Sequence, residues 1–82
     1  MTNTKKLVKI SPSVKFTQVT GSSLIESYAR EAGDLALKLT NGSAYIYKAV
    51  PDSVVDGFLA ASSKGQYFGR NIRDKFVAEQ AE

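Results

Sequence analysis

The sequence predicts an α+β fold: a three- or four-stranded antiparallel meander followed by two helices packed on one face. Three observations carry that expectation. Residues 34–40 (DLALKLT) alternate strictly, with Leu35, Leu37 and Leu39 on one side and Ala36, Lys38 and Thr40 on the other, the period-2 pattern of a half-buried strand. Asn41-Gly42 follows directly, and that pair favours a type I′ reversal between antiparallel strands. Beyond Pro51 the apolar residues return at helical spacing, first Val54, Val55, Phe58 and Leu59, then Phe68, Ile72 and Phe76 at i, i+4 and i+8.

The elements follow in order. The arm 1–13 mixes lysines with a Leu7-Val8-Lys9-Ile10 alternation and ends at Ser11-Pro12-Ser13, so it reads as an edge strand or a frayed end. Weak alternation over 14–19 suggests a first strand, and Thr20-Gly21-Ser22-Ser23 a turn or bulge. Leu24 to Arg30 is the next strand, and Glu31-Ala32-Gly33 a three-residue loop with Gly in the left-handed position. Ser43 to Val50 returns after Asn41-Gly42. Pro51 suits a first helical turn, and Asp52 and Asp56 complement the positive helix end. Gly57 costs about 1 kcal/mol relative to Ala inside a helix, which marks close packing. Ser62-Ser63 ends one helix and caps the next. The chain thus divides into a basic segment 1–18, able to supply an extra strand, a domain over 19–78, and a tail at 79–82 expected to fray.

At 82 residues the chain allows one small domain, whose core is thin because so short a chain buries only about 60 to 65 % of its unfolded surface. The absence of cysteine excludes disulfides and thiolate metal sites and fits a reducing compartment. Neither a signal-peptide run nor a stretch of transmembrane length is present, so a cytoplasmic protein without a membrane partner is expected. The net charge is only +3, but it is unevenly spread. Lys5, Lys6, Lys9 and Lys15 meet no acid within 1–25, and Lys64, Arg70, Arg73 and Lys75 oppose Asp74 alone within 64–76. Two basic segments can converge on an anionic partner, although solvated surface gives the same pattern.

The hairpins set the side-chain register. A two-residue loop at Asn41-Gly42 places Lys38 opposite Tyr45 and Ala36 opposite Tyr47. A three-residue loop at 31–33 places Tyr28 beside Ala36 and Glu26 beside Lys38. This register sends Ile25, Ala29, Leu35, Leu37, Leu39, Ala44 and Ile46 to the core. It gathers Tyr28, Tyr45 and Tyr47 on the opposite face with Lys38 and Glu26.

The order Gly-Ser-Ser-Leu-Ile (21–25), hairpin, Tyr-Ile-Tyr (45–47), Val-Pro (50–51), apolar helix, Ser-Lys-Gly-Gln-Tyr-Phe (63–68) and Asn-Ile-Arg (71–73) resembles the KTSC domain. That family is found at the C-terminus of some lysyl-tRNA synthetases and as stand-alone bacterial and phage proteins. Its Tyr-x-Tyr corresponds to Tyr45 and Tyr47, its Ser-x-Gly-x-[Tyr/Phe]-Phe to Ser63, Gly65, Tyr67 and Phe68, and its Ile-Arg to Ile72 and Arg73. Gly69 stands where Asn is more usual, and Ala29 where Gly is common. The resemblance implies a small α+β domain, and RNA binding is a suggestion made for the family. It does not account for residues 1–18.

Histidine and cysteine are both absent, which removes a histidine base, a cysteine nucleophile and a zinc site. No catalytic residue and no cofactor are assigned. Asp52 and Asp56, at i and i+4, can hold magnesium or simply complement a helix end. Lys64-Gly65 at a helix start can hold an anion or simply make a helix–helix turn. The expected activity is therefore binding. For RNA or another single-stranded nucleic acid, the candidate residues are Tyr28, Lys38, Tyr45, Tyr47, Lys64, Arg70 and Arg73. Tyrosine rings stack bases at about 1–3 kcal/mol each, and arginines clamp phosphates. Against this, the rings can cover the second sheet face and pack on Phe16, and for Arg73 an internal ion pair that fixes the second helix is the preferred reading. The alternative is a protein–protein adaptor, for instance a phage protein acting on a host or bacterial protein.

Overall fold

In the computed structural model, which describes residues 14–81, the alternating leucines lie on the central strand of a five-stranded antiparallel sheet. The elements are β1 (Thr17–Gln18), β2 (Ile25–Glu31), β3 (Asp34–Leu39), β4 (Ala44–Tyr47), α1 (Asp52–Ala60), α2 (Lys64–Asn71) and β5 (Ala78–Ala81). The strands lie in sequence order. The α+β architecture is as expected, with four strands before the two helices, and the helices pack on the leucine face. Ile25, Leu35, Leu37 and Leu39 join Val50, Val55, Phe58, Phe68 and Ile72 in one core. The arm strand considered over 7–10 lies outside the described residues.

The tyrosines are on the other side from the one expected, because both hairpin loops differ from their sequence signals. Glu31 pairs with Asp34, so the first loop is the two residues Ala32-Gly33, and both have positive φ (50° and 86°) as a type I′ turn requires. In the second hairpin Leu39 N–H donates to Ser43 O at 2.8 Å and Gly42 N–H to Leu39 O at 3.0 Å. Thr40, Asn41 and Gly42 thus form a three-residue loop with a left-handed Gly42 (φ 93°), and Asn41 Oδ1 accepts from Ser43 N–H at 2.9 Å. Leu35 now pairs with Tyr47, Leu37 with Tyr45, Ala36 with Ile46 and Lys38 with Ala44. On β2, Tyr28 pairs with Leu37 and Ser27 with Lys38, and a bulge between Ile25 and Ser27 lets Ile25 keep the core side. Each register has slipped by one residue, and a one-residue slip exchanges faces. The three tyrosines therefore line the helix-covered face, while Ala29, Ala44 and Ile46 lie on the opposite one.

The helices follow their signals with two corrections. Pro51 sits at the N-cap of α1 in extended conformation, and its carbonyl accepts from Val54 and Val55 N–H. Val55 and Phe58 are buried, but Leu59, expected in the stripe, is 40 % exposed. Gly57 is packed against Tyr67: a Cβ there would overlap the phenol ring, and Tyr67 Oη donates to Val54 O at 3.0 Å. Ser63 caps α2 by accepting from Gln66 N–H. α2 stops at Asn71, where Ile72 and Arg73 N–H both donate to Phe68 O. The expected continuation to Phe76 is a turn, which returns the chain to the sheet. Ala78–Ala81, which include most of the tail 79–82 expected to fray, pair with β4 as β5, with Tyr47 opposite Ala78 and Ala44 opposite Ala81.

Candidate functional site

The tyrosine face does not assemble as a platform. Tyr47 is only 4 % exposed and meets Phe68 edge-on at 5.5 Å between ring centroids. Tyr28 meets Phe58 edge-on at 6.0 Å, and Tyr45 lies 6.4 Å from Tyr47. Tyr28 and Tyr45 are half-buried against the core. Burial pushes the Tyr47 phenol above its ordinary pKa, with Tyr45 reinforcing the shift and Arg73 opposing it. Lys38 projects from the opposite sheet face, its Nζ 4.3 Å above the Phe16 ring. No base can stack on Tyr47 without unpacking the domain.

The remaining expected residues lead to the α1–α2 turn. Ser62-Ser63 separates two open clefts. One, of about 410 Å³, lies between the β1–β2 loop and the start of α2, and is lined by Gly21 to Leu24 and by Ser62 to Gln66. The other, of about 240 Å³, runs along α2 past Ser63, Gln66, Tyr67 and Arg70 to Asn71. The clefts share Ser62, Ser63 and Gln66, and among the described residues no carboxylate lines either. The first exists because two local elements meet. Ser22 Oγ accepts from Leu24 and Ile25 N–H at 3.2 and 3.0 Å, which fixes the β1–β2 loop. That loop lies against the start of α2 at Gly65, where a Cβ would meet Leu24 Cβ at 3.5 Å, an ordinary contact, so the approach does not depend on the glycine. Lys64 reaches back to donate to Ala61 O at 3.2 Å.

The structure thus brings Lys64 and Arg70 to adjoining clefts and leaves Arg73 exposed just past the helix. The internal ion pair preferred for Arg73 is not made among the described residues. The ion pairs there are Arg30–Asp52 at 2.7 Å, Lys48–Asp34 at 2.7 Å and Lys48–Glu79 at 3.9 Å. Asp52 lies in the first turn of α1 and ties it to β2 through Arg30. Ser22, Ser23, Ser63 and Gln66 were not singled out as site residues. Their signal was the pair of serine-glycine motifs at 21–23 and 63–65, which are far apart in sequence and adjacent in the fold. Among the described residues, no helix is long and apolar enough to cross a membrane.

These features describe a small antiparallel α+β domain with a serine- and glycine-lined cleft at the junction of its two helices. The chain belongs to the KTSC domain family, whose model matches residues 21–76. A lysine–tRNA ligase of Nostoc punctiforme is 41 % identical over 54 residues, which are 66 % of this chain and 10 % of the ligase. The chain therefore corresponds to about a tenth of that relative. A protein of Tsukamurella paurometabola is 37 % identical over 59 residues, covering 70 % of this chain and 88 % of its own. The crystal structure of a KTSC domain protein from Yersinia pestis superposes with a TM-score of 0.77 at 27 % identity, covering 85 % of this chain and 100 % of that one.

Proposed function

We propose that this protein is a non-catalytic binding module for RNA or another single-stranded nucleic acid, contacted at the α1–α2 turn. The observation that carries the reading is the pair of adjoining clefts flanked by Lys64 and Arg70, lined by serines and Gln66 and, among the described residues, by no carboxylate. Hydroxyls, amides and two cations suit phosphate oxygens, whereas a nearby acid would repel them. Arg73 lies exposed just past the end of α2 and outside the lining of both clefts. A relative of this domain forms part of a protein named for its action on tRNA, which favours RNA as the anion. The inward tyrosines take no part, so backbone phosphate rather than stacked bases is what the surface recognises.

Binding of a short fluorescent RNA, followed by anisotropy over a salt series, tests this. Affinity should fall as salt rises, each phosphate contact contributing about 0.7 to the logarithmic slope. Replacing both Lys64 and Arg70 by glutamate should weaken binding and flatten the slope. Lys38→Glu, an equal charge change on the far sheet face, should do neither. No binding at low salt, or equal losses in all variants, sinks the reading. The second reading, a protein adaptor, draws on Leu24, which lines the first cleft and is 37 % exposed. Capture of a protein partner that survives nuclease treatment and is lost in Leu24→Asp would favour it.

A further inference from the structure

β5 is the last strand of the sheet, and its outer edge offers backbone groups that no described residue takes up. Lys48 N–H donates to Val77 O at 2.8 Å, and in the same register Ile46 pairs with Glu79 and Ala44 with Ala81. Hydrogen-bonded and non-bonded pairs alternate along an antiparallel ladder, so Val77, Glu79 and Ala81 turn their backbone groups toward β4. The opposite side of β4 has the same parity. Leu39 N–H donates to Ser43 O, so Tyr45 and Tyr47 exchange with β3 and leave Ala44 and Ile46 for β5. Ala78 and Gln80 therefore point their N–H and C=O groups away from the sheet.

The same edge presents an apolar and an acidic side chain together. Val77, just before β5, is 72 % exposed, and Glu79, two residues on, projects from the same sheet face. Among the described residues the carboxylate of Glu79 has one ion pair, to Lys48 at 3.9 Å, and Lys48 is already held by Asp34 at 2.7 Å. The strand reads AEQA, without the lysine or proline that commonly guards an open edge. A second copy of the chain is a poor occupant. The two-fold register that uses every outward residue pairs Ala78 of one copy with Gln80 of the other. It sets the two Glu79 carboxylates directly opposite each other, where like charges are destabilising.

We propose that the β5 edge takes up an extended segment of a partner protein as a further antiparallel strand, with a basic residue opposite Glu79 and an apolar one opposite Val77. Antiparallel direction puts the basic residue first, so the segment reads Lys or Arg, any residue, then Val, Ile or Leu. Exchange with the Ala78 and Gln80 backbone supplies affinity, and the two side chains supply choice. None of the residues lining the α1–α2 clefts takes part, so the inference is independent of them.

NMR titration of the 15N-labelled full chain with the peptide acetyl-Thr-Lys-Thr-Val-Thr-amide tests it. Before peptide is added, the Ala78 and Gln80 amides should exchange with deuterium faster than those of Glu79 and Ala81. On titration the Ala78 and Gln80 resonances should move saturably, while those of α2 stay in place. The same peptide N-methylated at its central threonine should not bind. Glu79→Lys should weaken binding roughly fivefold, and a peptide with Glu in place of Lys should recover that loss, as a misfolded variant could not. Protection of Ala78 and Gln80 in the full chain alone overturns the proposal, because the edge is then occupied by the chain itself or by a second copy. So does the lack of a saturable shift at those amides, or binding indifferent to the N-methyl group and to the charge exchange.

Discussion

The two hairpins of this domain present opposite relations between signal and structure. The second carries Asn-Gly, the pair favoured for a two-residue type I′ turn, yet it closes as the three-residue loop Thr40–Gly42. The first carries the unremarkable Ala-Gly, and it is the two-residue turn, with Ala32 itself at φ 50°. What differs is the cargo of each register. The three-residue loop places Tyr45 and Tyr47 beside Leu37 and Leu35, under the helices. The two-residue alternative would have turned both rings out and brought Ala44 and Ile46 in. Burying a large aromatic side chain contributes about 1.5–3 kcal/mol, so two rings together exceed the roughly 1–2 kcal/mol that a residue held in left-handed backbone costs. Packing therefore outweighs the local signal, and Asn41 serves instead through its side chain, as acceptor for Ser43 N–H.

The sharpest way to break the comparison is to remove the cargo. Tyr47→Ala should cost about 3–5 kcal/mol in chemical denaturation, since the ring is buried against Phe68. Lys38→Ala, a residue turned outward in the register observed, should cost a small fraction of that. Comparable costs would mean that Tyr47 does not anchor the register. The next largest effect belongs to the glycines. Gly33→Ala and Gly42→Ala, at φ 86° and 93°, should each destabilise by about 1–2 kcal/mol, because a Cβ is disfavoured in left-handed backbone. Asn41→Ala should cost about 1 kcal/mol through its lost hydrogen bond. Asn41→Gly should not rescue it, as would be expected if backbone freedom were what the position needs.

Much of this fold was legible in the sequence because its signals are local. Strict alternation over 35–39 gave β3 and its buried leucines, Val55 and Phe58 the inner side of α1, and Ser63 the start of α2. Three features were not legible, each for a physical reason. The register depends on the length of two loops, and a single-residue error in each moved Tyr28, Tyr45 and Tyr47 to the other face. β5 has the sequence AEQA, which lacks alternation and β-branched residues, so only its partner β4 makes it a strand. The clefts join residues 21–24 to 62–66, and no periodicity reports such a meeting. Lys64 and Arg70 were recognised by their charge, but the serines around them read only as turn and cap.

Asp34 tests the first hairpin from its far end. Its carboxylate follows the Ala32-Gly33 turn, pairs with Lys48 and accepts from Ala49 N–H at 2.9 Å, in left-handed backbone at Ala49 (φ 54°). The hydrogen bond from Lys48, and then that from Ala49, hold its pKa below the ordinary carboxylate value. The stabilisation is thus complete above the unfolded pKa, about 4, and is lost as pH falls through the lower folded value. Lys48 is shifted upward by the same partner, so its share is complete below the unfolded lysine value and is lost in strong alkali. Asp34→Asn should flatten the acid limb of a melting-temperature profile between pH 2 and 5 without changing the fold. The effect is modest, since the pair is partly solvated. An unchanged acid limb would show that Asp34 does not couple the turn to the β4–α1 connection.

The smallest effect sharpens the comparison most, because it moves the signal to the turn whose geometry it fits. Ala32 occupies left-handed backbone, which asparagine tolerates better than alanine does. Ala32→Asn creates Asn-Gly in the two-residue loop and should stabilise the domain by about 0.5–1 kcal/mol, read as a higher denaturant midpoint with unchanged slope. Ala32 is exposed, so nothing packed has to move. If the substitution destabilised the domain instead, the first hairpin would not hold the type I′ geometry. The register that carries Tyr28 inward beside Leu37 would then need another cause.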